Sequence, residues 1–323
     1  MSRLLIALAA SALVACQAAA PASTAPPTIE PTATQQPAVA STASPQPTVA
    51  PGRSPVAKLI AFARGTDHGA QLEVVDETGG VPRPINSPDL EAPRWSPDGE
   101  WMAVARQEPD QNVHVSFIRA DGSGYRELHP DPTLNLGVAA WTPDGEWIAC
   151  EAWDPSDETR AGIYMVKVAD GSGLVKIAPP GVPGSFSADG KRLVFSVAEG
   201  DKHRLAIVNR DGTGFAKLGS EDADPVPGFM PDGTIYDTIR DEMGFFDLDG
   251  TLLRTFGAPI GTINEARLSP DGMRFVFVHF GPPSDYAAIA TINVDGTDLQ
   301  IVVPAIQGED AVHSEQGTPD WQP

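Results

Sequence analysis

The side chains able to do chemistry in this 323-residue chain are few and scattered. Its six histidines, His68, His114, His129, His203, His279 and His313, form no i, i+4 pair and join no cysteine cluster. A zinc site held by one helix or one knuckle therefore cannot be read locally, and the six are taken as unrelated surface or partly buried residues. No Gly-x-Ser-x-Gly occurs to expose a hydrolase nucleophile. Asp247-Leu248-Asp249-Gly250 and Asn293-Val294-Asp295-Gly296-Thr297-Asp298 begin like calcium loops, but Phe256 and the residues from Ile301 onward are apolar and no terminal Glu completes the pattern. Cys150, inside an apolar run, reads as a small core residue rather than a nucleophile. Trp153 is placed just beyond that run, leading into the acidic Asp154-Pro155-Ser156-Asp157-Glu158-Thr159-Arg160. There an exposed indole would serve as an interface anchor, and packing over a sheet edge is the competing use.

Charge narrows the classes further. Acids outnumber bases 43 to 22, for a net charge of -21. Sequence-independent nucleic-acid binding needs a basic surface to displace counterions, and electrostatic adhesion to anionic lipid needs one too. Both are excluded. Two cysteines exclude a disulfide scaffold and every cysteine-rich metal module.

What must position any site is a repeat. One element is an aromatic or leucine, then Ser/Thr-Pro-Asp-Gly, then a β-rich run, as in Trp95-Ser96-Pro97-Asp98-Gly99. It returns at Trp141-Thr142-Pro143-Asp144-Gly145, Phe186-Ser187-Ala188-Asp189-Gly190, Phe229-Met230-Pro231-Asp232-Gly233 and Leu268-Ser269-Pro270-Asp271-Gly272, in steps of 46, 45, 43 and 39 residues. The second element is an apolar strand ending in Asp-Gly, at Asp121-Gly122, Asp170-Gly171, Asp211-Gly212, Asp249-Gly250 and Asp295-Gly296, with a degenerate copy from Asp76 to Gly80. Pro presets φ, Asp bonds local amides and Gly tolerates positive φ, so the first element is a tight hairpin; the second is another. Each period then supplies four short strands, and four-stranded sheets at this period form a β-propeller.

The ends fit a closed ring. Thr318-Pro319-Asp320-Trp321-Gln322-Pro323 aligns with Ala92-Pro93-Arg94-Trp95-Ser96-Pro97, and Lys58-Leu59-Ile60-Ala61-Phe62-Ala63-Arg64 with Glu100-Trp101-Met102-Ala103-Val104-Ala105-Arg106. The C-terminus should supply the inner strand of the sheet whose other strands come from residues after 56, removing exposed edges. Trp95, Trp141, Phe186, Phe229, Leu268 and Trp321 count six blades, packing blade against blade. The expected fold is all-β: a six-bladed β-propeller closed by its two ends. These copies resemble the WD-like Pro-Asp repeats of TolB-type propellers over residues 56–323. They differ from eukaryotic WD repeats, since no Gly-His dipeptide occurs and the one Trp-Asp, Trp153-Asp154, falls in an expected loop. TolB itself carries an N-terminal α/β domain and is a soluble periplasmic partner of an outer-membrane lipoprotein; a lipid anchor and tether are expected in place of that domain. Propeller peptidases pair the ring with an α/β-hydrolase, which is not expected here.

The N-terminus carries the address. Arg3 precedes an apolar run over 4–15, too short to span a bilayer as a stable anchor. It ends Leu13-Val14-Ala15-Cys16, which resembles a bacterial lipobox and implies acylation of Cys16 as the mature N-terminus; an ordinary cut after Ala18 or Ala20 is the alternative. Residues 17–55 contain 9 Pro, 10 Ala and 10 Ser or Thr, with only Glu30 and Arg53 charged. Such a segment cannot bury enough surface to offset ordering entropy, and at ~3.1 Å per residue it reaches about 120 Å fully extended. The expected division is a signal peptide over 1–15, a lipidated cysteine and disordered tether over 16–55, and the propeller over 56–323. The protein should be exported and held at the outer face of the cytoplasmic membrane, or at an outer membrane if the host has one.

Individuality is expected in the longer connections: 107–112, 153–161 and 280–286 within blades, and 129–137, 220–228, 258–265 and 305–317 between them. These share one face around the channel mouth, where binding usually sits. Trp153, Asp154, Asp157, Glu158, Glu221, Asp222, Asp224, Glu309, Asp310 and Glu315 make the face acidic, with Arg160 the nearest base. It would draw a cationic partner or a bound cation, unless the acids serve only solubility. Inner-strand Glu91, Arg94, Asn264, Glu265, Arg267 and Asp320 are the channel candidates. The leading expectation is a non-catalytic, monomeric module that binds an envelope protein or peptide, with no cofactor, metal or nucleic acid. The alternatives are a small-ligand or glycan sensor at the channel mouth and a lyase- or lactonase-type propeller enzyme. Cys16→Ala should move the protein from the membrane to the soluble fraction; undiminished detergent partitioning would contradict lipidation.

Overall fold

The computed structural model describes residues 58–66, 69–108, 112–199, 202–219, 226–282, 284–305 and 319–323, all within one unit, Arg53–Pro323. Cys16 and the segments 1–15 and 16–55 lie outside the described residues, as do His68 and His313.

Six four-stranded antiparallel sheets account for every strand described. From inside outward, the first is Asp320–Trp321, Leu59–Thr66, Gly69–Asp76 and Arg83–Pro88. The second is Leu90–Trp95, Met102–Gln107, Val113–Ile118 and Arg126–Leu128, and the third is Asn135–Trp141, Trp147–Trp153, Gly162–Lys167 and Val175–Ala178. The fourth is Gly181–Phe186, Arg192–Glu199, Lys202–Asn209 and Ala216–Lys217. Blade five is Gly228–Phe229, Ile235–Ile239, Glu242–Phe246 and Leu252–Gly257, and blade six is Thr262–Leu268, Arg274–Gly281, Ser284–Asn293 and Gln300–Val303.

Second strands such as Arg274–Gly281 are apolar at consecutive positions because a neighbouring blade covers each face. Six buried clusters result, each shared by two consecutive blades. Trp95 packs between blades one and two, Phe186 between three and four, and Trp321 between six and one. Cys150 is fully buried between blades two and three, and burial pushes its thiol well above the usual range.

The Pro-Asp turn works as a small bonded ring. Ser96 Oγ donates to Asp98 Oδ1 at 2.6 Å and accepts from Trp101 N, while Asp98 Oδ1 also accepts from Glu100 N. These bonds hold the Asp98 carboxyl below its ordinary range. Gly99 closes the turn at φ +70°. Its counterparts have a second duty: a Cβ at Gly190 would come within 3.4 Å of Pro143, and one at Gly272 within 2.7 Å of Pro231, each on the preceding blade's turn. At Gly233, where the preceding turn carries Ala188 in place of Pro, the same space is open.

Several expected boundaries change, and the connections expected over 129–137 and 258–265 end in the strands Asn135–Trp141 and Thr262–Leu268. Trp153 is not beyond its strand: pairing with Asn135 extends the ladder to include it. The connection expected over 280–286 shrinks to two residues, because Gly281 pairs with Ser284.

Ring closure is direct. Trp321 pairs with Ile60 and Asp320 with Ala61, and Gln322 N donates to the Leu59 carbonyl at 2.8 Å. Trp321 Nε1 reaches the Arg267 carbonyl of blade six at 3.3 Å, and Gln322 Nε2 the Gly99 carbonyl of blade two at 2.9 Å. Trp321→Ala should cost ~3–5 kcal/mol in denaturant unfolding, the usual range for a buried tryptophan; an unchanged midpoint would contradict closure by this residue.

Candidate functional site

Two places bear on function: the loop-rich face and the axis. On the face, Arg160 occupies the centre of the acidic loop of blade three. Its Nη1 donates to Asp154 Oδ2 and its Nη2 to Asp131 Oδ2, both at 2.6 Å, with Thr133 Oγ1 at 2.7 Å. One guanidinium thus ties the second-to-third-strand loop to the connection arriving from blade two. Asp154 is buried, and its other oxygen caps Ser156; Asp157 caps the short 3-10 turn Glu158–Arg160 through Thr159. Asp154 and Asp157 are therefore spent on loop structure; Asp157 and Glu158 are both exposed, and Glu158 is the one without a capping role. Trp153 is half-buried, its ring against Gly137, where a side chain would meet it at 3.1 Å. Its ring thus packs over the blade. Glu221, Asp222, Asp224, Glu309, Asp310 and Glu315 lie outside the described residues.

The histidines are not all unrelated. His114 and His129 meet edge to face with ring centroids 4.2 Å apart, and His129 Nε2 contacts Glu127 Oε2 at 2.8 Å. The third and fourth strands of blade two bring them together. His279 is buried against the Thr262 carbonyl. Among the described residues no three side chains of metal-binding type stand close enough to hold an ion.

At the axis the inner strands face each other with one edge unpaired, and neighbouring blades supply partners. Asp320 Oδ2 of blade one accepts from Trp95 N of blade two at 2.7 Å. Ser185 Oγ of blade four accepts from Phe229 N of blade five at 2.8 Å, and Tyr236 Oη of blade five from Leu268 N of blade six at 3.2 Å. Trp141 Nε1 donates to the Arg94 carbonyl at 2.9 Å. In blades one and four the residue preceding the inner-strand aromatic is thus a blade-to-blade latch. Where blade five has Gly228 there, Tyr236 from the adjacent strand fills the space; a Cβ at Gly228 would lie 2.3 Å from its hydroxyl.

In blades two and six the latch position is an arginine. Arg94 and Arg267 are only 4% and 5% exposed. Arg267 Nη1 crosses to the Gly184 carbonyl of blade four at 2.9 Å, and Arg94 Nη1 bonds the Pro93 carbonyl at 2.7 Å. Both follow inner-strand bulges, at Glu91/Arg94 and Asn264/Arg267, in which Ala92 and Glu265 adopt φ +48° and +52°. Burial, aided by Arg267, pulls the Arg94 guanidinium down to about 9, against the opposing pull of Asp320, Glu265 and Tyr236. The Asp320 carboxyl is enclosed although the residue keeps some exposed surface, and burial raises its pKa against the pull of Arg94 and Arg267. Asn264 bonds Thr262 Oγ1 at 2.8 Å. Glu91, half-buried, is pushed up to about 7 by burial and by Asp89, and Glu151 to about 6 by burial. Position in the repeat thus brought Arg94, Arg267 and Asp320 together; Tyr236, Ser185 and Glu151 were missed. The one signal for Tyr236 is a large polar residue where the other second strands have Ala or Val, beside a glycine.

The family model described as TolB beta propeller domain matches residues 35–245, more than half of the chain. The chain belongs to the TolB beta-propeller family. The match starts within the expected tether and stops inside blade five, while the Pro-Asp turn continues through blade six. Among solved structures, TolB from Acinetobacter baumannii is similar with a TM-score of 0.64 at 16% identity, covering 82% of this chain and 67% of that one. The structure described as putative TolB from Agrobacterium tumefaciens gives 0.60 at 16% identity, with 82% and 99% covered. A chain of a nidogen/laminin complex gives 0.58 at 9% identity, with 81% and 98% covered. A comparison with curated proteins found no match. At these identities the likeness to solved structures is one of fold.

Glu91 gives a pH test. Its folded pKa, about 7, is above the ordinary 4.5, so between those values the folded state holds the proton more tightly and stability falls as pH rises. Glu91→Gln should melt higher than the parent at pH 8 and equally at pH 4. Equal melting at both would show that Glu91 is not held neutral by the fold.

Proposed function

We propose that this TolB-family propeller is a non-catalytic binding module, recognising a protein or peptide through its loop-rich face and held at the cell envelope by lipid on Cys16. The observation that carries the reading is the Arg160 clamp, which joins Asp154 to Asp131 and so fixes two loops from different blades in one shape. Preorganised loops lose little entropy on binding, and irregular loops on a rigid scaffold are the usual place for recognition. The nidogen/laminin likeness supports it as a propeller of the same fold found in a protein complex. Glu158, exposed at the start of the 3-10 turn, gives the face an accessible negative charge, which favours a partner presenting Lys or Arg.

A photo-crosslinking residue in place of Glu158, in the full chain in its native envelope, should give one discrete adduct. The same probe at Asp211, on an Asp-Gly turn of the other face, should give none. Adding Arg160→Ala should abolish the Glu158 adduct. Identical adducts from both faces, or none from Glu158, would contradict recognition by the loop face.

A further inference from the structure

The arginines at the axis leave donors over. Arg267 uses Nη1 on the Gly184 carbonyl, while its Nε and Nη2 meet no partner in hydrogen-bond geometry, although the Tyr236 hydroxyl stands beside the guanidinium; Arg94 uses Nη1 on Pro93 and leaves Nε without a partner. Both side chains are more than nine-tenths buried, where an unmet charged donor is costly. Nor do the nearby carboxylates meet these donors. Among the described residues no ion pair of either guanidinium is seen: Asp320 Oδ2 accepts from Trp95 N, and the charge of Glu265 acts on Arg94.

The geometry points to a carboxylate-binding site at the propeller axis, in which Arg267 grips the ligand side-on and Arg94 adds a third donor. Nε–H and Nη2–H of one guanidinium lie parallel on the same edge, and that edge matches the two oxygens of a carboxylate. The third edge nitrogen, Nη1, is already fixed across the ring to blade four, so the gripping edge is held in place before a ligand arrives. Both arginines follow a bulge whose non-glycine residue sits in the left-handed region, a costly backbone that persists here in the two inner strands that carry arginine. Asp320 and Glu265, whose charges act on Arg94, would repel a dianion more strongly than a monoanion, so a single carboxylate is favoured over phosphate. Tight burial restricts the ligand to a slim one: a small free acid, or the C-terminal carboxylate of a chain entering end-on. The inference stands apart from the loop-face reading, since no residue of the Arg160 clamp takes part.

The test is calorimetric titration of the full chain at constant chloride. The probes are propionate, inorganic phosphate, and an acetylated Ala-Gly-Gly-Ala peptide as free acid and as carboxamide. Saturable binding of propionate or of the peptide acid is expected, with the carboxamide silent and phosphate weaker. Propionate alone identifies a free acid as the source, and the peptide acid alone a chain terminus. Arg267→Gln and Arg94→Gln should each weaken binding at least tenfold. Since Arg267→Gln also removes the brace to blade four, a second reading needs no variant: the arginine Nε–H resonances of the unaltered protein should shift on titration. No saturable carboxylate binding, phosphate binding more tightly than every carboxylate, equal binding by the carboxamide, or undiminished affinity in Arg94→Gln would overturn the proposal.

Discussion

Everything in this propeller depends on two residues at the far end of the chain pairing with a strand near residue 60. Without the final strand, blade one would have three strands, and Leu59–Thr66 would expose its amides and its share of the core between blades six and one. Asp320 and Trp321 close that edge with a ladder of two residue pairs. So short a strand holds because its side chains reach further than its backbone: the Trp321 ring is buried between blades six and one, Asp320 caps an amide of blade two, and Gln322 bonds that blade's turn. Closure is thus a three-blade contact.

The same geometry explains why the axis is polar in an acidic protein. Six inner strands converge with one edge each facing inward, and something must satisfy their amides. Asp320, Ser185 and Tyr236 do so from the neighbouring blade. Arg94 and Arg267 do not fit that role, since their bonds go to carbonyls and donors remain. Buried charges are seldom the stabilising choice where apolar residues of similar volume would pack. Blade three manages the latch position with Ala140, so the arginines are not needed to build the ring.

The fold was legible in the sequence because its decisive signals are local. A Pro-Asp-Gly turn is set by three consecutive residues, and four such copies with one Ala-Asp-Gly, at near-constant spacing, leave one architecture. The ends could be matched because each half-repeat is recognisable alone. Trp153 was misplaced because the strand ends where pairing with Asn135 ends, and that partner is not marked in the local pattern. His114 and His129 looked unrelated because fifteen residues separate them, although a hairpin puts them in contact. Repeat position is enough to put the channel candidates on inner strands. Which of them would be satisfied by a neighbour, and which left with free donors, depends on register across the ring, and no single blade encodes that.

Native-state hydrogen exchange at the Gln322 amide, bonded to the Leu59 carbonyl, tests closure most directly. A locked ring predicts exchange only through global unfolding, at the free energy of the Phe277 amide in the second strand of blade six. Exchange at the rate of a fraying terminus, while Phe277 stays protected, would show that the ring stands without its last strand.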